Sequence, residues 1–256
     1  MILDRFHMDG KVAIVTGAGR GIGAATAVGL AQAGADVLIS ARTTDQLTEV
    51  AGLVEDAGRR AVVVPADLSD LDAVAGLVDQ ARDAFGRLDL VVNNVGGAMP
   101  RPFMDTSPNR LEQAFHFNVS TAHALLRPAV PLMLEGGGGS VVNISSAMGR
   151  MAGRGYVAYG TAKGALTHYT RLAAADLSPN IRVNAISPGV IQTEFARPLT
   201  DSPALMQKRL ALTPLRRAGI PDEVAGLALL LAGPAGGFIT GQNLIVDGGT
   251  TIGDGN

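Results

Sequence analysis

Two short stretches carry residue types that could do chemistry. "TGAGRGIG" (16–23) places glycines at 17, 19, 21 and 23, directly after the apolar run "KVAIVT" (11–16) and at the start of a helical stretch. Glycine there lets the turn tighten and lets a ligand approach the backbone, while the helix N-terminus offers free N–H groups and partial positive charge to a phosphate. A tight strand-to-helix turn with no ligand would use the same glycines. "YGTAK" (159–163) sets Tyr159 and Lys163 at an i,i+4 spacing, on one face of a helix. A free phenol titrates near 10, too high for acid–base work at neutral pH. A close ammonium favours the phenolate, and a drop of ~3 units takes roughly 4 kcal/mol of differential interaction. A packed tyrosine beside an exposed lysine is the plainer explanation of that spacing.

These residues need a frame to bring them together. Short apolar runs at 11–16, 36–41, 61–66 and 88–94 alternate with helical stretches at 21–33, 43–58 and from Ser69 to about Phe85, with Ser69 as the expected cap and Gly86 as the stop. The strands are apolar throughout rather than alternating, which predicts burial of both faces and a parallel sheet covered by helices on both sides. Further strands are expected at 140–145, 181–187 and 243–247, and further helices at 156–177 and 221–232. The helical region from about Ser107 to Leu134 contains Pro128 and Pro131, which predict a kink or two pieces. "GGGGS" (136–140) is expected to be a loop inside the domain. The expectation is one domain over 1–256, an α/β doubly wound Rossmann-type fold with about seven parallel strands. In such a sheet ligands bind outside the carboxyl ends of the strands, where Gly17–Gly23, Ser145, Ser146 and the start of the Tyr159 helix all fall.

Composition narrows the function. The chain has 256 residues, 47% of them hydrophobic, and a net charge of −2 with no basic stripe, so a nucleic-acid or acidic-membrane partner has little support. It has no cysteine, which excludes disulfides, thiolate metal sites and a cysteine nucleophile, and suits a cytoplasmic location. "MILDRFHMDGK" has no apolar core and is not expected to be a secretory signal, and no run is long enough to span a membrane. His7, His116, His123 and His168 have no ligand spacing, so no metal site is expected.

The ordered set "TGAGRGIG", "ADL" (66–68), "NNVG" (93–96), Asn118 in "FNVS", "NISS" (143–146), "YGTAK", "SPGVIQT" (187–193) and "VDGG" (246–249) resembles the short-chain dehydrogenase/reductase family over nearly the whole chain. Val95 departs from the alanine more usual there. The resemblance implies that Tyr159 is the general acid in ketone reduction and that Lys163 lowers its pKa and binds the nicotinamide ribose. It also implies that Ser146, thirteen residues before Tyr159, holds the substrate oxygen, and that Asn118 perturbs its helix and holds a water in a relay to Lys163. A supporting strand-end hydroxyl is the expectation for Ser145, and a structural role for Asp247. Cofactor contacts are implied for Gly17, Gly19, Gly21, Ile22 and Gly23 at the phosphates, while Arg20, inside the turn, is expected to close on an adenosine 2′-phosphate from the side opposite Arg42. Asp67 and Leu68 fall at the adenine, Asn94 and Gly96 near the ribose, and Pro188, Gly189, Val190 and Thr193 at the nicotinamide. Residues 194–215 are the expected substrate lid, and a homotetramer is implied.

The end of the second strand, "ISART", holds Ala41 and Arg42 and no carboxylate, while Asp36 lies at its other end. An acid there would accept from a 2′-hydroxyl; a guanidinium suits a 2′-phosphate, so NADP(H) is expected over NAD(H). The pattern is closest to 3-oxoacyl-acyl-carrier-protein reductases and bacterial hydroxysteroid dehydrogenases. "GGAMPRPF" (96–103) resembles the latter, and the helix ends "MLEGGGG" and "DLSPN" have no basic residue to grip an acidic carrier. The expected partner is a small-molecule ketone or alcohol, bulky or steroid-like. A non-catalytic dinucleotide-binding sensor is the alternative of another class, disfavoured by the presence of Asn118, Ser146, Tyr159 and Lys163 together.

Overall fold

The computed structural model describes residues 1–197 and 201–252. Seven parallel strands form one sheet: β1 (Val12–Thr16), β2 (Asp36–Ala41), β3 (Ala61–Pro65), β4 (Leu90–Asn93), β5 (Gly139–Ile144), β6 (Ile181–Pro188) and β7 (Asn243–Val246). Their order is 3-2-1-4-5-6-7, so the chain reverses direction across the sheet between β1 and β4. The central strands are buried along their whole length, as their unbroken apolar runs require.

One core layer joins the sheet to α1 (Gly21–Gln32), α2 (Thr44–Asp56) and α8 (Pro221–Ala232) through Leu30, Leu47, Val54, Val224 and Leu231. The other joins it to α3 (Leu71–Phe85), α5 (Thr121–Glu135) and α6 (Val157–Leu177) through Leu77, Leu125, Leu132 and Ala174. The doubly wound arrangement expected from the strand–helix alternation is therefore present. Residues 198–200 of the expected lid lie outside the described residues; the rest of it holds α7 (Pro203–Ala211).

Two local expectations are corrected. Asp70, not Ser69, caps α3: its carboxylate accepts from the N–H groups of Asp72 and Ala73 at 2.9 and 3.3 Å, and Ser69 instead donates to Asp67. The 107–134 region is divided, but not by its prolines. α5 continues unbroken through Pro128 and Pro131; both lie off its packed face, while Leu125, Leu126, Ala129, Leu132 and Met133 bury against α3. The division comes earlier, where α4 (Pro108–Phe115) passes into one turn of π-helix at His116–Ser120 around Asn118. Gly86 closes α3 in the left-handed conformation (φ 74°), as expected.

Candidate functional site

The glycine turn joins β1 to α1 beside the start of the β4 loop. Gly17 and Gly21 have φ of 64° and 58°, values that favour glycine. A Cβ on Gly23 would fall 2.3 Å from the Gly17 carbonyl oxygen and 2.5 Å from Asn94 Nδ2. Asn94 fastens the turn to β4: its Nδ2 donates to the carbonyls of Thr16 (3.0 Å) and Gly17 (3.1 Å), and Thr16 Oγ1 accepts from the N–H groups of Asn94 and Val95. No side chain caps the first turn of α1, so its N–H groups face the carboxyl edge of the sheet uncapped. That uncapped end and the bare turn before it fit the phosphates of a dinucleotide.

A second cluster converges on Gly96. A Cβ there would meet Asn118 Oδ1 at 2.6 Å and Lys163 Nζ at 2.8 Å. Asn118 is buried; its Nδ2 donates to the carbonyls of Ala114 (2.7 Å) and Gly97 (3.0 Å), and its Oδ1 accepts from Gly97 N–H (3.0 Å). The side chain thus takes the Ala114 carbonyl that the α-helical ladder would use, which accounts for the π-turn and for asparagine in mid-helix. Lys163 is 3% exposed and donates to the Ile144 carbonyl at the end of β5 (2.8 Å). Its ammonium lies 5.9 Å from the Tyr159 ring centroid.

Burial pushes Tyr159 above its ordinary value and Lys163 down to about 7, so both groups favour their neutral forms. The influence that draws Tyr159 back is a hydrogen bond with Ser146. Ser145 is turned away: its hydroxyl donates to the Lys163 carbonyl (2.9 Å) and shares a bond with Thr167 (2.9 Å), the supporting role expected of it.

The remaining positions are distributed along the same edge. Leu68 is buried in the core, so its side chain packs rather than faces outward. Asp67 is held below the usual carboxylate range by bonds from the Ser69 N–H and hydroxyl, with a further contribution from the charge of the exposed Arg42. Gly189 packs on Asp247, and Asp247 accepts from the N–H groups of Gly249 (2.8 Å) and Thr251 (2.6 Å), a turn-building role. Pro188 ends β6 and Val190 follows it; the Thr193 methyl lies 3.1 Å from where a Cβ on Gly21 would be. Gly19 backs onto Gln46, and Ile22 is half-buried in the core layer of α1. Arg20 pairs with Glu194, which also lies 3.4 Å from Arg197, so its charge is answered within the chain. Sequence reasoning missed that partner because it lies far along the chain. It also missed Tyr156, whose ring stands 6.3 Å from that of Tyr159. Among the described residues no three His, Cys, Asp or Glu side chains gather as metal ligands, and no helix is long and apolar enough to cross a membrane.

Comparison with known proteins agrees with this geometry. A family model described as enoyl-(acyl carrier protein) reductase matches residues 17–251. An uncharacterized oxidoreductase of Mycobacterium tuberculosis is 58% identical over 253 residues, covering 98% of this chain and 96% of the relative. The 7alpha-hydroxysteroid dehydrogenase of Escherichia coli K12 is 36% identical, covering 96% of each. A solved 7alpha-hydroxysteroid dehydrogenase complexed with NADH and 7-oxo glycochenodeoxycholic acid superposes with a TM-score of 0.93 at 36% identity, covering 96% of both chains. A gluconate 5-dehydrogenase from Burkholderia cenocepacia, in complex with NADP and tartrate, superposes with a TM-score of 0.92 at 33% identity, covering 98% of this chain and 99% of its own. The chain belongs to the short-chain dehydrogenase/reductase family. It is an oxidoreductase of that type.

Proposed function

We propose that this protein is an NADP(H)-dependent carbonyl reductase that interconverts ketones and secondary alcohols, with Tyr159 as the acid in reduction. The observation that carries the reading is the convergence of Asn118, Lys163 and Gly96 at one point, with Tyr159 and Ser146 hydrogen-bonded beside it. When bound, the nicotinamide cofactor supplies a hydride to the carbonyl carbon. Tyr159 gives its proton to the carbonyl oxygen, and Ser146 holds the same oxygen as charge develops on it. Lys163, held by the Ile144 carbonyl and titrating at about 7, exchanges a proton near neutral pH and restores Tyr159. Asn118 fixes Gly97 and with it the floor on which these groups meet.

Gly17, Gly19, Gly21, Ile22 and Gly23 would hold the cofactor phosphates, Asp67, Leu68, Asn94 and Gly96 the adenosine side, and Pro188, Gly189, Val190 and Thr193 the nicotinamide side. The preference for NADP(H) rests on Arg42, since Glu194 engages Arg20. Exposed Met99 and Phe103 in the β4 loop favour a bulky substrate, in keeping with the hydroxysteroid relative; the segment 194–215 would act as its lid. Reduction of a 3-oxoacyl group on a carrier protein is the competing substrate class. The assembly proposed is a homotetramer in the cytoplasm.

The first test is Tyr159→Phe. The variant should fold, bind cofactor and lose about 10²–10⁴ in kcat. Retention of more than about a tenth of wild-type kcat, with ketone-dependent NADPH oxidation as the assay, would remove Tyr159 from the role.

A further inference from the structure

Three segments follow β4, β5 and β6 in the chain: residues 94–107, 145–156 and 189–220. Together they carry eight Lys and Arg against three Asp and Glu, in a chain whose totals are 21 and 23. Several of these cations are answered within the protein: Arg197 by Glu194, Arg217 by Glu223 and Arg216 by the Ala211 carbonyl. Elsewhere Arg59 is answered by Asp36, Lys11 and Arg87 by Asp89, and Arg182 by the carbonyls of Ala232, Gly233, Gly236 and Ile239. The side chains of Arg101 and Arg154 are exposed and have no partner among the described residues.

The segments that carry these two arginines are joined through the backbone. The Arg101 N–H donates to the Gly155 carbonyl (2.9 Å), tying the β4 loop to the β5 loop one residue past Arg154. Gly155 has φ of 84°, and a Cβ on it would lie 3.4 Å from the Arg101 carbonyl oxygen. Tyr156 follows at once, and its ring is the neighbour of Tyr159. Two like charges on joined segments repel, and an anion lying between them relieves that repulsion. The guanidinium fork matches a carboxylate in shape as well as charge. The same loop exposes Met99, Phe103 and Met104 at 62, 71 and 89%. Apolar side chains interleaved with unpaired cations form an amphipathic surface, suited to an apolar body that ends in an anion.

We infer that the substrate is a low-molecular-weight apolar ketone or alcohol bearing a carboxylate remote from the reacting carbon, and that Arg101 and Arg154 receive that carboxylate. This rests on the carbonyl-reductase reading and adds the substrate class to it. The helix ends at 134–139 and 177–180 contain no basic residue to grip an acidic carrier protein, so the loops fit a small acid better.

Binding tests this separately from turnover. The full-length protein, saturated with NADP⁺, is titrated calorimetrically with 3-oxo-4-androstene-17β-carboxylate and with its neutral 17β-carboxamide. The acid should bind at least tenfold more tightly than the amide at low salt, and the gap should narrow in 0.5 M NaCl. Arg101→Gln with Arg154→Gln should abolish the gap by weakening the acid alone; Arg154→Glu should reverse it. Equal binding of acid and amide, no binding of either, or a preference untouched by these substitutions overturns the inference. So does a change in sedimentation of the double variant with the acid preference intact, which would make this surface a contact between copies of the chain. A preference for acetoacetyl carrier protein that depends on Arg101 and Arg154 would also overturn it. Failure of the carbonyl-reductase reading would show instead as carboxylate-selective binding without NADPH oxidation.

Discussion

At Ala41 and Arg42, β2 ends without a carboxylate, and the arginine stands exposed, its charge acting on Asp67. A 2′-phosphate would find charge and fork geometry there, and a 2′-hydroxyl would find no acceptor from that strand. The wild-type protein should show higher kcat/KM with NADPH than with NADH, and Ala41→Asp with Arg42→Ile should reverse the order. Parity or an NADH preference in steady-state assays of the unmodified protein would count against this. Lys163 supports a prediction of a different kind. Its folded pKa is depressed to about 7 from an ordinary 10.5, so between these values the unfolded chain binds the extra proton. Stability should therefore rise with pH across that window, and the lysine opposes folding most at its acid end. Lys163→Met should melt above wild type at pH 6, and the gap should close towards pH 10; a pH-independent gap in thermal melts would show that the buried charge is not the cause. That Asn118, Ser146, Tyr159 and Lys163 fall near one another was legible from the ordered motifs and the family they resemble. The pairing of Arg20 with Glu194 was not, because no local pattern links residues so distant in sequence.

The π-turn shows where element-scale reading fails. Proline is a loud signal, yet Pro128 and Pro131 leave α5 whole, with both prolines off the face that packs against α3. Asn118 is a quiet signal, yet its amide captures the Ala114 carbonyl and opens the ladder. Asn118→Ala removes three hydrogen bonds, each worth about 1 kcal/mol net. It should lower stability by roughly 2–3 kcal/mol in urea denaturation and speed hydrogen exchange at the Gly97 amide. Pro128→Ala should move neither. If the two variants proved alike, the asparagine would not be what maintains the turn. The cap of α3 was misread by one residue for a simpler reason: in "DLSDLD" both Ser69 and Asp70 are good caps, and only the backbone geometry selects Asp70.

Across the whole molecule the two edges of the sheet do different work. At the amino edge, opposite the site, buried Asp89 gathers Lys11 (3.0 Å), Arg87 (2.7 Å) and the Val12 N–H (3.0 Å), joining the starts of β1 and β4. Burial raises its pKa, but the bonds from Arg87, Lys11 and Val12 outweigh that and leave it below the ordinary 3.8. The stabilisation is present above that value and is lost as pH falls through the depressed one. Asp89→Asn should lower Tm by roughly 4–8 °C at pH 7, about 2 kcal/mol, with the deficit shrinking below pH 4. A deficit that persists unchanged into acid would mean that charge is not what matters. Strand number and layering were legible because buried parallel strands are apolar throughout; strand order and this anchor were not, since they depend on contacts between segments far apart in sequence. At the carboxyl edge, Lys163 is tied to the end of β5 and Asn118 to Gly97, whereas the loops bearing Arg101 and Arg154 meet through a backbone hydrogen bond between Arg101 and Gly155. A duplicated gene could therefore rewrite those loops over generations and acquire new substrates while inheriting its reaction unchanged.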